Sequence, residues 1–248
     1  MATRNEIKLL RSLQQKKFRQ LHRLFVVEGT KSVLEVLQSG FRVESVHATD
    51  AWVAAHPGLQ LPGLQHLSEK ECELASSLQT PPGILACVHF RETAPLTETA
   101  DLPGRLLILD GIQDSGNLGT IIRTADWFGL THIVCSRGTV ELYNPKTIQA
   151  SMGSFTRVEV CYEDLTEFIP RLPADYRVYG TFMDGCDLRQ TQFAPHAAIV
   201  IGSEARGISP EVEGLIHERI AIARIAAHPV DSLNAAIAAA ITCYALSE

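Results

Sequence analysis

Three short segments beyond position 110 carry side chains whose types and spacing suit chemistry. The first, Asn117-Leu118-Gly119-Thr120-Ile121-Ile122-Arg123-Thr124-Ala125, follows an apolar run and a loop with two glycines and four polar residues, Asp110 to Gly116. Backbone amides at such a helix start hold an anion or a carbonyl oxygen. The second, Ile199-Val200-Ile201-Gly202-Ser203-Glu204-Ala205-Arg206-Gly207-Ile208, ends an apolar strand in glycines that flank a carboxylate. Gly202 lets a ligand approach the backbone, Gly207 permits a positive φ, and Glu204 accepts from an amine or a hydroxyl or holds Arg123. The third is Ser232-Leu233-Asn234, opening an Ala-rich run. Ligands of open α/β sheets bind where strands end, which is where all three segments fall.

Each segment also has a purely structural reading. Arg123 lies among Ile121, Ile122 and Ala125, which predicts a partly buried guanidinium tied to an acidic group such as Asp110. Gly202 to Ser209 reads as a loop that caps a helix opening at Pro210. Ser232 or Asp231 reads as the N-cap of the last helix, whereas Asn234 within an apolar helix is an amide that must find a partner.

The elements that position these segments follow from apolar periodicity. Strands are predicted at Leu106–Leu109, His132–Cys135, Arg157–Val160, Tyr176–Thr181, Ala197–Ile201 and Arg219–Ala223. Helices are predicted at Leu118–Phe128, Pro145–Met152, Leu165–Arg171, Pro210–Ile216 and Leu233–Leu246. Near-continuous apolar strands alternating with helices imply a mostly parallel sheet with helices on both faces. The final helix, apolar on every side, belongs in a core or against another subunit. Residues 91–104 read as a polar linker, so 105–248 form one domain and 1–90 a smaller α/β domain. That smaller domain opens with one helix over 4–23 and has strands near 24–27, 43–48 and 83–88 and a capped helix start at Ser68.

The net charge is −6, but residues 1–31 sum to +6 and the remainder to −12. A basic N-terminal stretch on an acidic body is either a footprint for nucleic acid or a solvated helix face. The six cysteines form no CxxC pair, so neither a metal site nor a disulfide framework is expected. No run reaches the roughly 20 apolar residues of a membrane span, and the charged N-terminus lacks a signal-peptide core. A cytoplasmic protein without a membrane partner is expected. The phosphate-binding loop GxxxxGK[ST] is missing, and no GxGxxG follows the first strand of either domain.

Taken together, the three segments resemble the motif set of the SpoU (TrmH-like) branch of the knotted RNA methyltransferases. Asn117, Gly119, Arg123 and Ala125 match its first motif, Gly202, Glu204 and Gly207 its second, and Ser232, Leu233, Asn234 and Ala238 its third. Phe25-Val26-Val27-Glu28-Gly29 and Thr80-Pro81-Pro82-Gly83-Ile84-Leu85-Ala86 are similar, more loosely, to the substrate-binding domain often fused in front. In place of the family's Ile-Pro-Met-type turn this chain has Ile222-Ala223-Arg224-Ile225-Ala226-Ala227-His228-Pro229.

The resemblance implies S-adenosylmethionine as methyl donor, a ribose 2′-hydroxyl of tRNA or rRNA as acceptor, a homodimer and a trefoil knot. It implies Arg123, Asn117, Glu204, Ser232 and Asn234 as catalytic residues. Gly202, Ile222, Ala227 and Leu233 would line the cofactor site, and Lys16, Lys17, Arg19 and Arg23 would reach RNA phosphates. The other reading is a catalytically degenerate relative that binds RNA and transfers nothing. Cofactor binding separates the two.

Overall fold

The structure is a computed structural model and describes residues 1–59, 61, 63–92, 96, 102–225 and 232–247. The chain divides into two compact units, one of Met1–Glu92 with Tyr143–Thr156, the other of Thr93–Leu142 with Arg157–Glu248.

In the first unit, helices α1 (Arg4–Ser12) and α2 (Lys16–His22) precede β1 (Leu24–Glu28), α3 (Thr30–Leu37), β2 (Val43–Thr49) and α4 (Asp50–Ala55). Strand β3 (Leu64–Leu67), α5 (Glu69–Ala75) and β4 (Ile84–His89) complete a sheet of order β1-β4-β2-β3. Strand β4 runs antiparallel to both β1 and β2, and β3 is parallel to β2. The single helix expected over 4–23 is two. At the break the Gln14 and Gln15 N–H groups bond three residues back, to Arg11 and Ser12, and the Gln14 side chain donates to the carbonyls of Ala75 and Ser76, at 3.2 and 2.7 Å. Helix α5 starts at the expected capping box, in which Ser68 and Glu71 bond each other's backbone N–H. Helix α4, capped by Thr49, was not foreseen.

The remaining elements are β5 (Arg105–Asp110), α6 (Ser115–Trp127), β6 (His132–Ser136), α7 (Pro145–Ser151), β7 (Glu159–Glu163) and α8 (Leu165–Phe168). After them come β8 (Arg177–Asp187), β9 (Ala197–Gly202), α9 (Pro210–Glu213), β10 (Glu218–Ala221) and α10 (Ala235–Ser247). Helix α7, assigned from the sequence to the C-terminal domain, groups with the first unit. An aromatic cluster accounts for this: the Phe25 ring lies 4.5 Å from Tyr143 and 5.9 Å from Phe155, and Phe90 stacks on Tyr143 at 4.1 Å. The Arg91 N–H donates to the Tyr143 hydroxyl at 3.0 Å.

The second unit is built on a six-stranded sheet of order β10-β8-β9-β5-β6-β7, parallel throughout. Its central strands are buried on both faces, as their unbroken apolar composition requires. Leu106, Ile108, Val134, Val178, Ala198 and Val200 pack with Leu165 and Phe168 in its core. Strand β7 begins two residues later than expected, and β8 runs six residues further. Among the described residues, no helix is long and apolar enough to cross a membrane. Burial pushes the thiols of Cys87, Cys161 and Cys243 up to about 12, so these act as small core hydrophobes. Cys186 is exposed.

Candidate active site

The ends of β5 and β9 and the start of α10 converge on one hydrogen-bonded chain. Asp114 caps α6 by accepting the Asn117 N–H at 2.8 Å. This fixes Asn117 in the first turn, where its side-chain amide donates to Glu204 Oε1. Asn234 Nδ2 donates to Asn117 Oδ1 at 3.0 Å. Asn234 Oδ1 accepts the N–H groups of Ala236 and Ile237, at 2.9 and 3.3 Å. Glu204 Oε1 also accepts the Ala235 N–H at 3.3 Å. Three side chains from distant parts of the chain therefore join two helix N-termini to the loop after β9.

That loop has its shape for a steric reason. A Cβ on Gly202 would lie 2.1 Å from the carbonyl carbon of Gly207, so no other residue fits there. Gly207 adopts φ +67°, and Ser203 and Gly207 exchange backbone hydrogen bonds of 3.1 and 2.8 Å. The Ser209 N–H donates to Asp110 Oδ2 at 2.8 Å, holding the far side of the loop to the end of β5.

Two cavities flank the loop. One, of about 430 Å³, is lined chiefly by apolar groups, among them Phe182, Ile201, Ile208, Ile222 and Leu233, with Ser232 at its edge. The other, of about 890 Å³, lies among the loops that follow β5, β6 and β9. Ser203, Glu204 and Gly207 line both. A volume of a few hundred Å³ with apolar walls and a few polar groups is that of a small-molecule site.

Residues 104–244 match the SpoU rRNA methylase family, and residues 4–86 match the MRM3-like substrate binding domain. The chain belongs to the SpoU rRNA methylase family. Among its relatives is the 23S rRNA (guanosine(2553)-2′-O)-methyltransferase RlmP of Bacillus subtilis, 30% identical over 99% of this chain and 97% of that protein. Human mitochondrial rRNA methyltransferase 3 is 30% identical over 68% of this chain and 53% of its own length, so the chain spans about half of it. A TrmH-family protein from Porphyromonas gingivalis superposes with a TM-score of 0.86 at 37% identity, covering 99% and 98% of the two chains. An AdoMet-bound rRNA methyltransferase from Sinorhizobium meliloti superposes at 0.85 and 28% identity, covering 99% and 95%.

In this SpoU-family chain, Asn117, Glu204 and Asn234 meet, and Gly202, Ser232, Ile222 and Leu233 line the smaller cavity. Ala227 lies outside the described residues. Three expectations are corrected. Arg123 is exposed, lies away from the lining of the smaller cavity, and has no ion-pair partner among the described residues. Glu204 holds Asn117 and the Ala235 amide instead of Arg123, and Asp110 holds Ser209. The last helix is capped by Asn234, not by Ser232, which is why Asn234 is exposed and not buried.

The basic N-terminal residues divide as well. Lys16, Lys17 and Arg23 are exposed. Arg19 is 2% exposed, and its Nη1 donates to the carbonyls of Leu13 and Gln14, both at 2.8 Å. It ties the end of α1 to α2 and cannot reach a phosphate. Sequence reasoning passed over Asp114 and Phe182. An Asp three residues before Asn117 was a legible cap signal, whereas Phe182 carried none.

Proposed function

We propose that this chain transfers a methyl group from S-adenosylmethionine to a ribose 2′-hydroxyl of rRNA or tRNA. The observation that carries this reading is Glu204, held by Asn117 in the wall that two cavities share. A two-substrate transfer needs donor and acceptor in contact, and residues shared by two cavities mark where the occupants of both would meet. The family and its named relatives supply the chemical class.

The smaller cavity fits the cofactor. Ile222 and Leu233 offer apolar walls and Glu204 and Ser232 polar contacts at its edge, whereas Gly202 lines it but is required by the Gly207 backbone and not by the approach of a ligand. When bound, S-adenosylmethionine supplies an electrophilic methyl on a sulfonium. This chain's residues must align the acceptor hydroxyl in line with it and stabilise the oxygen as its proton passes to solvent water. A guanidinium stays protonated and is no base. Arg123 instead clamps a substrate phosphate and stabilises the developing alkoxide. Asn117 and Asn234 keep Glu204 oriented toward the ribose, and Ser232 is a hydrogen-bonding partner at the cavity edge.

We further propose a homodimer. Trp127 on α6 is 84% exposed, and Ile237, Ile241 and Tyr244 form an exposed stripe on α10, which packs against α6. Apolar surface of this kind marks an interface. Arg123, one turn before Trp127, shares that exposed face and in the dimer serves the partner's cavity. The trefoil knot and a cytoplasmic site of action belong to the same reading. Lys16, Lys17 and Arg23 give it an RNA-facing N-terminus.

Calorimetric titration with S-adenosylmethionine, followed by labelled methyl transfer to total tRNA and rRNA, tests the proposal. Binding with transfer is the expected result. No binding at millimolar cofactor would overturn it in favour of an RNA-binding relative.

A further inference from the structure

Strand β8 carries a feature that its neighbours do not. Gly180 is the last β8 residue paired with β9, and it also pairs with Arg219 of β10. The next β10 residue, Ile220, pairs with Cys186. Residues 181–185 are thus extruded from both ladders, and Thr181, Phe182 and Met183 line the smaller cavity. A glycine stands at each end of the extrusion, and at Gly185 the neighbouring backbone leaves no room for a side chain. A Cβ on Gly180 would lie 2.7 Å from the Phe182 ring, and one on Gly185 would lie 2.5 Å from the Ile220 backbone.

Arg219, at the break, grips this segment on two sides. Its guanidinium lies 3.6 Å from the centroid of the Phe182 ring. Its Nη2 donates to Asp184 at 2.5 Å and its Nη1 to Glu213, the last residue of α9, at 2.5 Å. The carboxyl of Asp184 is held below its ordinary range by the hydrogen bond from Arg219. Arginine suits this task because its planar cation stacks on a ring while its edge bonds carboxylates. Phe182 also packs against the core and lines the cavity.

We propose that Arg219 is a positioning residue for the methyl donor: without lining the cavity, it holds Phe182 as the cavity wall against the bound cofactor. This rests on the functional reading above. The extruded segment is outside both ladders, so beyond the Thr181 hydroxyl's 3.2 Å bond to the Val200 carbonyl and the packing of Phe182 against the core, the sheet does not hold the ring in place. Arg219 links it instead to Asp184 within the segment and to Glu213 outside it.

The test uses the full chain as wild type, R219A, R219K, F182L and the R219A/F182L double variant. Each is titrated with S-adenosylmethionine and assayed for KM, kcat and thermal unfolding. We expect R219A to raise Kd and KM for the cofactor about ten-fold, with kcat within about two-fold. R219K keeps a cation between the carboxylates but lacks the stacking plane, and is expected to fall between R219A and wild type. In the double variant the Arg219 effect should largely vanish, because the ring through which it acts is gone.

Failure of the wild type to bind cofactor would sink the functional reading itself. Wild-type binding with R219A unchanged, or with the two substitutions additive, would overturn the role of Arg219 alone. If R219A does not fold, R219K decides: affinity equal to wild type overturns the proposal, and weakened affinity with unchanged unfolding temperature supports it.

Discussion

Asn234 Nδ2 donates to Asn117 Oδ1 across 3.0 Å and so locks the first turns of α6 and α10 together. The same Asn234 caps α10, which gives one side chain a structural and a chemical duty. The two separate by substitution. Asn234→Ser keeps a capping oxygen but is too short to reach Asn117, so stability should stay within about 0.5 kcal/mol while methyl transfer falls sharply. Asn234→Ala should lose transfer and about 1 kcal/mol of stability as well. Chemical denaturation alongside a transfer assay reads both.

Arg123 is exposed and outside the cavity lining, so its removal leaves the fold and the cofactor site intact. Arg123→Ala is expected to abolish transfer while leaving the Kd for S-adenosylmethionine and the unfolding temperature unchanged. Retained turnover in that variant would remove Arg123 from the mechanism.

The exposed stripe of α10 makes the homodimer testable by charge. Ile237 is 51% exposed at its N-terminal end. Ile237→Glu should leave the monomer folded, since that position already tolerates water, yet split the dimer by burying an unpaired carboxylate at the interface. Light scattering after size exclusion gives the mass directly. If Arg123 serves the partner's cavity, transfer should disappear with the dimer.

Arg19 and its neighbours should respond oppositely. Arg19→Met leaves the carbonyls of Leu13 and Gln14 short of a buried donor and should cost about 1–3 kcal/mol without altering RNA affinity at temperatures where it is folded. Lys16→Ala with Lys17→Ala should leave stability alone and weaken RNA binding, with a shallower salt dependence. Filter binding at two ionic strengths separates the cases.

The first unit carries a pH dependence. His47 is fully buried, with Ser45 Oγ, at 2.9 Å, as its hydrogen-bond partner among the described residues, and burial lowers its pKa from 6.5. The unfolded chain then binds a proton more readily than the folded one, so stability is full above pH 6.5 and declines as pH falls below it. Glu6 acts in a lower window. Its bonds to the Thr3 backbone and side chain hold its carboxyl at about 2, so its contribution is lost between about 4.5 and 2. Denaturation midpoints at pH 8, 6 and 5 should show the upper decline, and His47→Gln should flatten it while leaving the lower one.

Much of the second unit was legible because its strands are apolar without interruption, and that pattern admits little besides a parallel sheet covered on both faces. The Ser68 capping box was legible for a local reason, since four consecutive residues contain the whole interaction. What escaped reading depends on partners far along the chain. The break after Ser12 needs the carbonyls of Ala75 and Ser76, and the placement of Tyr143 needs Phe25 and Phe90. Arg123 looked buried because its sequence neighbours are apolar, but helical geometry turns those neighbours inward and Arg123 outward. The extrusion of 181–185 had one local trace, a glycine at each end, whose meaning depends on Arg219 and Ile220 from another strand.

Asn117 lies 87 residues from Glu204 and 117 from Asn234, and every strand between Asn117 and Asn234, β6 to β10, joins the same parallel sheet. Such long separations make the loop-closure entropy large and the assembly slow. A chain that has formed β5, α6 and β6 has a nucleus but no site. Competence therefore arrives in a single late event, when β9 and α10 dock. In refolding, affinity for the methyl donor should return with the slowest phase and never ahead of it, so that partly folded molecules cannot sequester cofactor.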